Sequence, residues 1–134
     1  MRIGHLCLVA TAALGVALSS PARAVPEPDP AMERAVAVGN LDATTTSVRA
    51  QLTNLTDGTL SDIRILVTHA FLWSQEMKPG EDNPGRSDLF TIKGPIPPHG
   101  SIAMEEALNP PLPVRPDGRY QTSVQVLGFT KVGP

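Results

Sequence analysis

Few residues of this 134-residue chain could hold a ligand, and His69, Met77 and His99 are the set with a shared chemistry. Imidazole and thioether donors suit Cu(I), so a metal-binding module is one reading of the three. The simpler reading separates them. His69 continues the every-second-residue spacing of Ile63, Ile65 and Val67 and precedes Phe71 and Trp73, so it should point into the core and bond a backbone carbonyl. His99 sits in a Pro-Pro-His-Gly turn, where exposure alone accounts for it, and Met104 reads as core filler. Glu81, Asp82, Asn83 and Asp88 gather oxygen donors as a calcium site would, yet they follow no EF-hand spacing. Solvated loop acids, with Arg86 paired to one of them, are the expectation.

Catalysis finds less support. The chain lacks G-x-S-x-G, H-E-x-x-H and any phosphate-cradling glycine loop, so no enzyme and no cofactor is expected. Glu105 and Glu106 are neighbours on an expected strand and face opposite ways, which prevents them from working as a carboxylate pair. Asn54-Leu55-Thr56 fits the N-glycosylation pattern, but an Asn at a strand end ordinarily serves the turn. A surface reading remains. Leu66, Ala70 and Leu72 make the strand ending at Trp73 apolar on its second face as well. Either the chain's own loops cover that face, the Pro-rich residues 108–116 being the lid, or Leu66, Leu72, Trp73 and Arg86 meet a partner.

The elements that position these residues read as strands. Short alternating segments broken by Pro and Gly clusters, without a sustained helical stripe, indicate an all-β chain. An Asp57-Gly58 turn would set Leu52 opposite Ile63, Ala50 opposite Ile65 and Val48 opposite Val67, a direct hairpin. The competing reading makes residues 54–62 an arch from one sheet to another, with the same residues facing across the core. Further strands are expected near residues 34–38, 89–93, 100–107 and 119–131, with Gly128 a candidate bulge. Residues 74–87 and 108–118 are the long loops.

Targeting is written at the start. A basic opening, an apolar run from Leu6 to Leu18 and Ala22-Arg23-Ala24 have the layout of a signal peptide cleaved after residue 24. The 13-residue run is short for a membrane span, which needs about 20 residues, and no second run exists, so no transmembrane segment is expected in the mature chain. Removal of Arg2 and Arg23 with the leader takes the formal charge from −2 to −4, which disfavours nucleic acid as a partner. The sole cysteine, Cys7, leaves with the leader. A disulfide-free exported domain fits a bacterial periplasm first and secretion second. Residues 25–31, alternating Pro with acids, read as an extended spacer, and residues 32–134 as the domain.

Two resemblances sharpen this. Val48-Arg-Ala-Gln-Leu-Thr-Asn54, Ile63-Arg-Ile-Leu-Val67 and Ile96-Pro-Pro-His-Gly-Ser101 with a closing strand resemble the FxLYD-type domains of exported bacterial proteins, although Phe-x-Leu-Tyr-Asp itself is absent. The resemblance implies an immunoglobulin-like antiparallel sandwich of six to seven strands, with no catalytic residues. The interval from Met77 to His99 is similar to the His/Met pattern of periplasmic copper chaperones of cupredoxin-like fold, with Ser101 where that pattern has a second methionine. The expectation is therefore a non-catalytic module that binds another envelope or secreted protein through the region of residues 72–86 or a sheet edge. The copper module is the alternative.

Overall fold

A computed structural model describes residues 26–80 and 83–134. The leader expected at residues 1–24, and Glu81 and Asp82 of the acidic loop, lie outside the described residues. After a short helix α1 (Pro30–Ala35) come six strands: β1 (Val36–Ala43), β2 (Ser47–Asn54), β3 (Thr59–Trp73), β4 (Arg86–Ile92), β5 (Ser101–Ala107) and β6 (Gly118–Val132). They form two antiparallel three-stranded sheets, in the orders β1-β2-β5 and β4-β3-β6. The sheets enclose one apolar core, so the all-β sandwich expected from the alternating segments is present. No helix among the described residues is long and apolar enough to cross a membrane.

The direct hairpin at Asp57-Gly58 is overturned. β2 and β3 lie in different sheets, so residues 55–58 are an arch. A type I′ turn needs positive φ at both central residues, and here positive φ falls instead on Asn40, Asp62 and His99. The cause is Asn54, which is fully buried. Its Nδ2 donates to the carbonyls of Gly58 (2.7 Å), Pro97 (3.0 Å) and Ile96 (3.1 Å). Its Oδ1 accepts from the backbone N–H (2.9 Å) and hydroxyl (2.7 Å) of Thr56. That network turns the chain across the core and joins it to the segment between β4 and β5. Gly58 is required there, because a Cβ would come within 2.8 Å of Lys131 Cε and 2.9 Å of the Val132 carbonyl. Val48, Ala50, Leu52, Ile63, Ile65 and Val67 are all buried, now facing one another from opposite sheets.

The N-terminal reading also needs correction. Pro30 and Ala31 belong to α1, where an extended spacer was expected, and the first strand begins at Val36. The Asp29 side chain caps the helix by accepting from the Ala31 N–H at 2.9 Å, with Pro30 in the first turn, where its missing N–H costs nothing. Ala35 and Val36 are buried and Met32 packs on the core, so α1 fills the side of the sandwich between β1 and β6. The pairing of β3 with β6 shifts register at Gly128, as the bulge reading expected.

Candidate functional site

β3 and β6 each run 15 residues, whereas β2 runs eight. At about 3.3 Å per residue, β3 outreaches β2 by roughly 23 Å on the side away from the arch. On that overhang the inner face of β3 carries His69, Phe71 and Trp73, and Thr122 and Tyr120 of β6 stand opposite His69 and Phe71. The Pro-rich loop closes over it. Leu108 and Leu112 are buried, and their N–H groups donate to the carbonyls of Thr46 (2.8 Å) and Thr45 (2.7 Å). The Tyr120 hydroxyl donates to the Pro113 carbonyl at 3.0 Å. Arg115 then stacks on Phe71 (5.0 Å) and Trp73 (4.8 Å) while donating twice to the Asp117 carboxylate. Phe71 meets Trp73 and Tyr120 edge to face at 5.0 and 5.2 Å. Gly118 admits no side chain, since a Cβ would collide with the Phe71 ring and the Leu72 carbonyl.

His69 is fully buried beside this cluster. Its Nδ1 lies 2.9 Å from the Thr122 hydroxyl, and Nε2 is 3.6 Å from an Asp88 oxygen that also accepts from Arg86 Nε at 3.0 Å. Burial holds the imidazole below its ordinary pKa; the Asp88 carboxylate opposes this and Arg86 adds to it. The order hydroxyl, imidazole, carboxylate has the outline of a proton relay. The second gap exceeds a hydrogen bond, however, and Asp88 is engaged by Arg86. Burial disfavours the imidazolium, and no carboxylate aligned by a hydrogen bond orients the ring toward the Thr122 hydroxyl among the described residues. The expected backbone-carbonyl partner is absent: His69 bonds a side chain, and that partner was visible in the sequence as the inward-facing neighbour of Tyr120 and Val124.

The structure does not assemble the metal set. His99 lies beside Asp57 at the arch (2.8 Å), before β3 begins, and Met77 follows the far end of β3 with 87% of its surface exposed. Fifteen residues of strand, about 50 Å, part those regions, with His69 walled off between them. No group of three or more His, Cys, Asp or Glu residues gathers for a metal among the described residues. Asn83 Oδ1 accepts from the N–H groups of Phe71 and Gly85, both at 2.8 Å, and Asp88 faces inward against Arg86, the ion pair expected for that arginine. The sequon is closed too, because the Asn54 amide is buried and bonded on both atoms.

Of the residues considered for a partner, Leu72 is only 3% exposed and offers no surface, Leu66 and Trp73 are half-buried, and Arg86 is held by Asp88. The lid lies over the face of Phe71 and Trp73, opposite to the face carrying Leu72. Two shallow hollows, of about 510 Å³ beside Gln51 and Ala103 and about 470 Å³ between α1 and β6, include none of these residues.

What sequence reasoning missed is an open flank. One side of the sandwich is partly covered: β1 and β6 approach each other, α1 lies against both, and Gln125 donates to the Glu27 carbonyl at 3.2 Å. On the other side β4 pairs with β3 alone and β5 with β2 alone among the described residues. The inward residues Phe90 of β4 and Ile102 of β5 remain half-buried there, and Leu89 of β4 is 63% exposed. Neither edge could be assigned from a sequence that leaves strand order open. Comparison with protein-family models, curated proteins and solved structures finds no match to this chain.

Proposed function

We propose that this chain is an exported, non-catalytic binding module of the bacterial envelope, with an immunoglobulin-like sandwich of the FxLYD type. It recognises an extended segment of another envelope or secreted protein along the β4/β5 flank. One observation carries the reading: two strand edges lie open on one flank with half-buried Phe90 and Ile102 between them, while α1 and the segment before it lie against the opposite flank. An open edge supplies unpaired main-chain N–H and C=O groups, and the exposed apolar side chains beside it supply burial, the combination used in strand addition. The inward cluster at the far end supports the non-catalytic reading, since the Asp88 carboxylate is taken by Arg86 and lies beyond hydrogen-bond reach of the imidazole that bonds Thr122.

The test is a random heptapeptide phage selection against the chain, followed by amide hydrogen exchange on the bound peptide complex. Alternate amides of β4 or β5, fast in the free protein, should slow on binding. β3, paired on both sides, should be slow throughout. Selected peptides that protect only loop residues, or no selection over background, overturn the reading.

A further inference from the structure

The four edge strands are not equally protected. β1 is bulged between Gly39 and Asp42, and α1 lies against it. β6 pairs through a register shift at Gly128, and the N-terminal segment reaches it at Gln125. β5 carries Glu105 and Glu106. β4 has neither bulge nor covering helix among the described residues, and its two charges, Arg86 and Asp88, point inward and pair with each other at 3.0 Å. It is regular along its whole pairing with β3, contains no Pro or Lys, and its outward row is Ser87, Leu89 and Thr91, without charge. Bulges, outward charges and covering segments keep an edge from pairing, and β4, whose own charges neutralise each other on the inward face, is the edge with an uncharged outward row and a regular register.

We infer that β4 pairs with β4 of a second copy of this chain, antiparallel about a two-fold axis through Leu89, joining the two β4-β3-β6 sheets into one six-stranded sheet. This rests on the binding reading of the flank and names its first occupant. Leu89 is the midpoint of the seven-residue strand, so this register uses every residue of both copies. On the outward face it sets Leu89 against Leu89 and Ser87 against Thr91, a hydroxyl pair of the kind already made by Thr68 with Ser87 at 3.2 Å. Leu66 stands opposite Leu89 within each copy, so four leucines form one row across the joint. On the inward face Asp88 meets Phe90 and Arg86 meets Ile92, while each Asp88 keeps its own Arg86.

A slip that centres the axis on Asp88 puts two carboxylates directly opposite, and a centre at Ser87 shortens the pairing to Ser87 and its immediate neighbours. Charge and length thus select the same register. A joint made along one strand about 23 Å long is smaller than the roughly 1,200–2,000 Å² of a usual stable interface, so the dimer is weak and reversible. Its symmetry is closed, and β5 is left open for a different partner.

Sedimentation velocity on the full chain from micromolar to millimolar concentration should show a monomer–dimer equilibrium. Leu89→Lys, an exposed change that leaves the circular dichroism unaltered, should weaken it at least about tenfold. In a Cys7→Ser background, Leu89→Cys should form a disulfide-linked dimer under mild oxidation much faster than Ala103→Cys on the outward face of β5. A monomer at every concentration, a dimer indifferent to Leu89→Lys, or equal cross-linking at the two positions overturns the inference. A monomer whose β4 or β5 amides are still protected by a selected peptide removes the dimer and keeps the binding reading. A Leu89-dependent dimer with no peptide protection does the reverse.

Discussion

The sandwich buries a polar side chain at each end, and the two are treated differently. At the arch, Asn54 spends its whole capacity: two amide hydrogens shared among three carbonyls, and an oxygen accepting twice from Thr56. At the overhang, His69 has a partner on Nδ1 and none within hydrogen-bond distance on Nε2. Trp73 Nε1 and Arg86 Nη2 are likewise buried without one among the described residues. Such unpaired buried groups cost stability, whereas a fully bonded one is neutral or favourable. The arch is therefore built to hold two sheets in one relation, and the overhang is the less settled end. The distinction follows from the partners: the Asn54 amide group bonds backbone carbonyls, whereas the His69 ring bonds a side-chain hydroxyl.

The largest break in that comparison is Asn54→Ala. It takes one donor from each of the carbonyls of Gly58, Ile96 and Pro97, which keep only the Thr56 hydroxyl, the Leu60 N–H and the Gly100 N–H respectively, and it releases Thr56, so unfolding free energy should fall by about 2 kcal/mol, read by urea denaturation. Thr122→Val, which removes the single partner of His69, should cost about 1 kcal/mol because that end is already incompletely bonded. Equal losses from the two variants would show that the ends do not differ.

The pH dependence is the next effect in size. His69 has a folded pKa below its unfolded value near 6.5, because burial disfavours the imidazolium. As pH falls through about 6.5, the unfolded chain takes up a proton that the folded chain refuses, so stability is full above that pH and declines below it. The wild-type melting temperature should drop between pH 7.5 and pH 5 by more than that of His69→Gln, which has nothing to titrate at this position. Parallel curves for the two proteins would mean that His69 is protonated in the folded state. The Asn54 end contributes nothing here, since an amide does not titrate.

Much of this was legible in the residues, for reasons that also mark the limit. Period-two alternation from Ile63 to Phe71 is a local signal, and it gave the strand, its inward face and the burial of His69. The bulge at Gly128 and the core position of Met104 were local as well. The arch was not, because the apolar pairs of residues 48–52 and 63–67 satisfy a hairpin and a sandwich equally. Asn54 decides between them only through carbonyls 42 and 43 residues away. The helix start at Asp29-Pro30 was local and was obscured by the alternation of Pro with acids that precedes it. The open flank depends on strand order, which no single segment encodes.

The smallest effect isolates the overhang from the rest of the molecule. Trp73 is the only tryptophan, so intrinsic fluorescence reports that end alone. Arg115 covers one face of its ring at 4.8 Å and is held there by Asp117, whose carboxyl sits below the usual range because the guanidinium donates to it. In Arg115→Ala the ring loses its cation and gains water, so emission should move to longer wavelength while the urea midpoint stays close to that of the wild type. Asn54→Ala should do the opposite, lowering the midpoint with the native-state emission unmoved, because its network ends at the arch. If Arg115→Ala shifted the midpoint as far as Asn54→Ala, the Pro-rich loop would be as much a part of the cooperative core as the arch, and the two ends would have to be described as one.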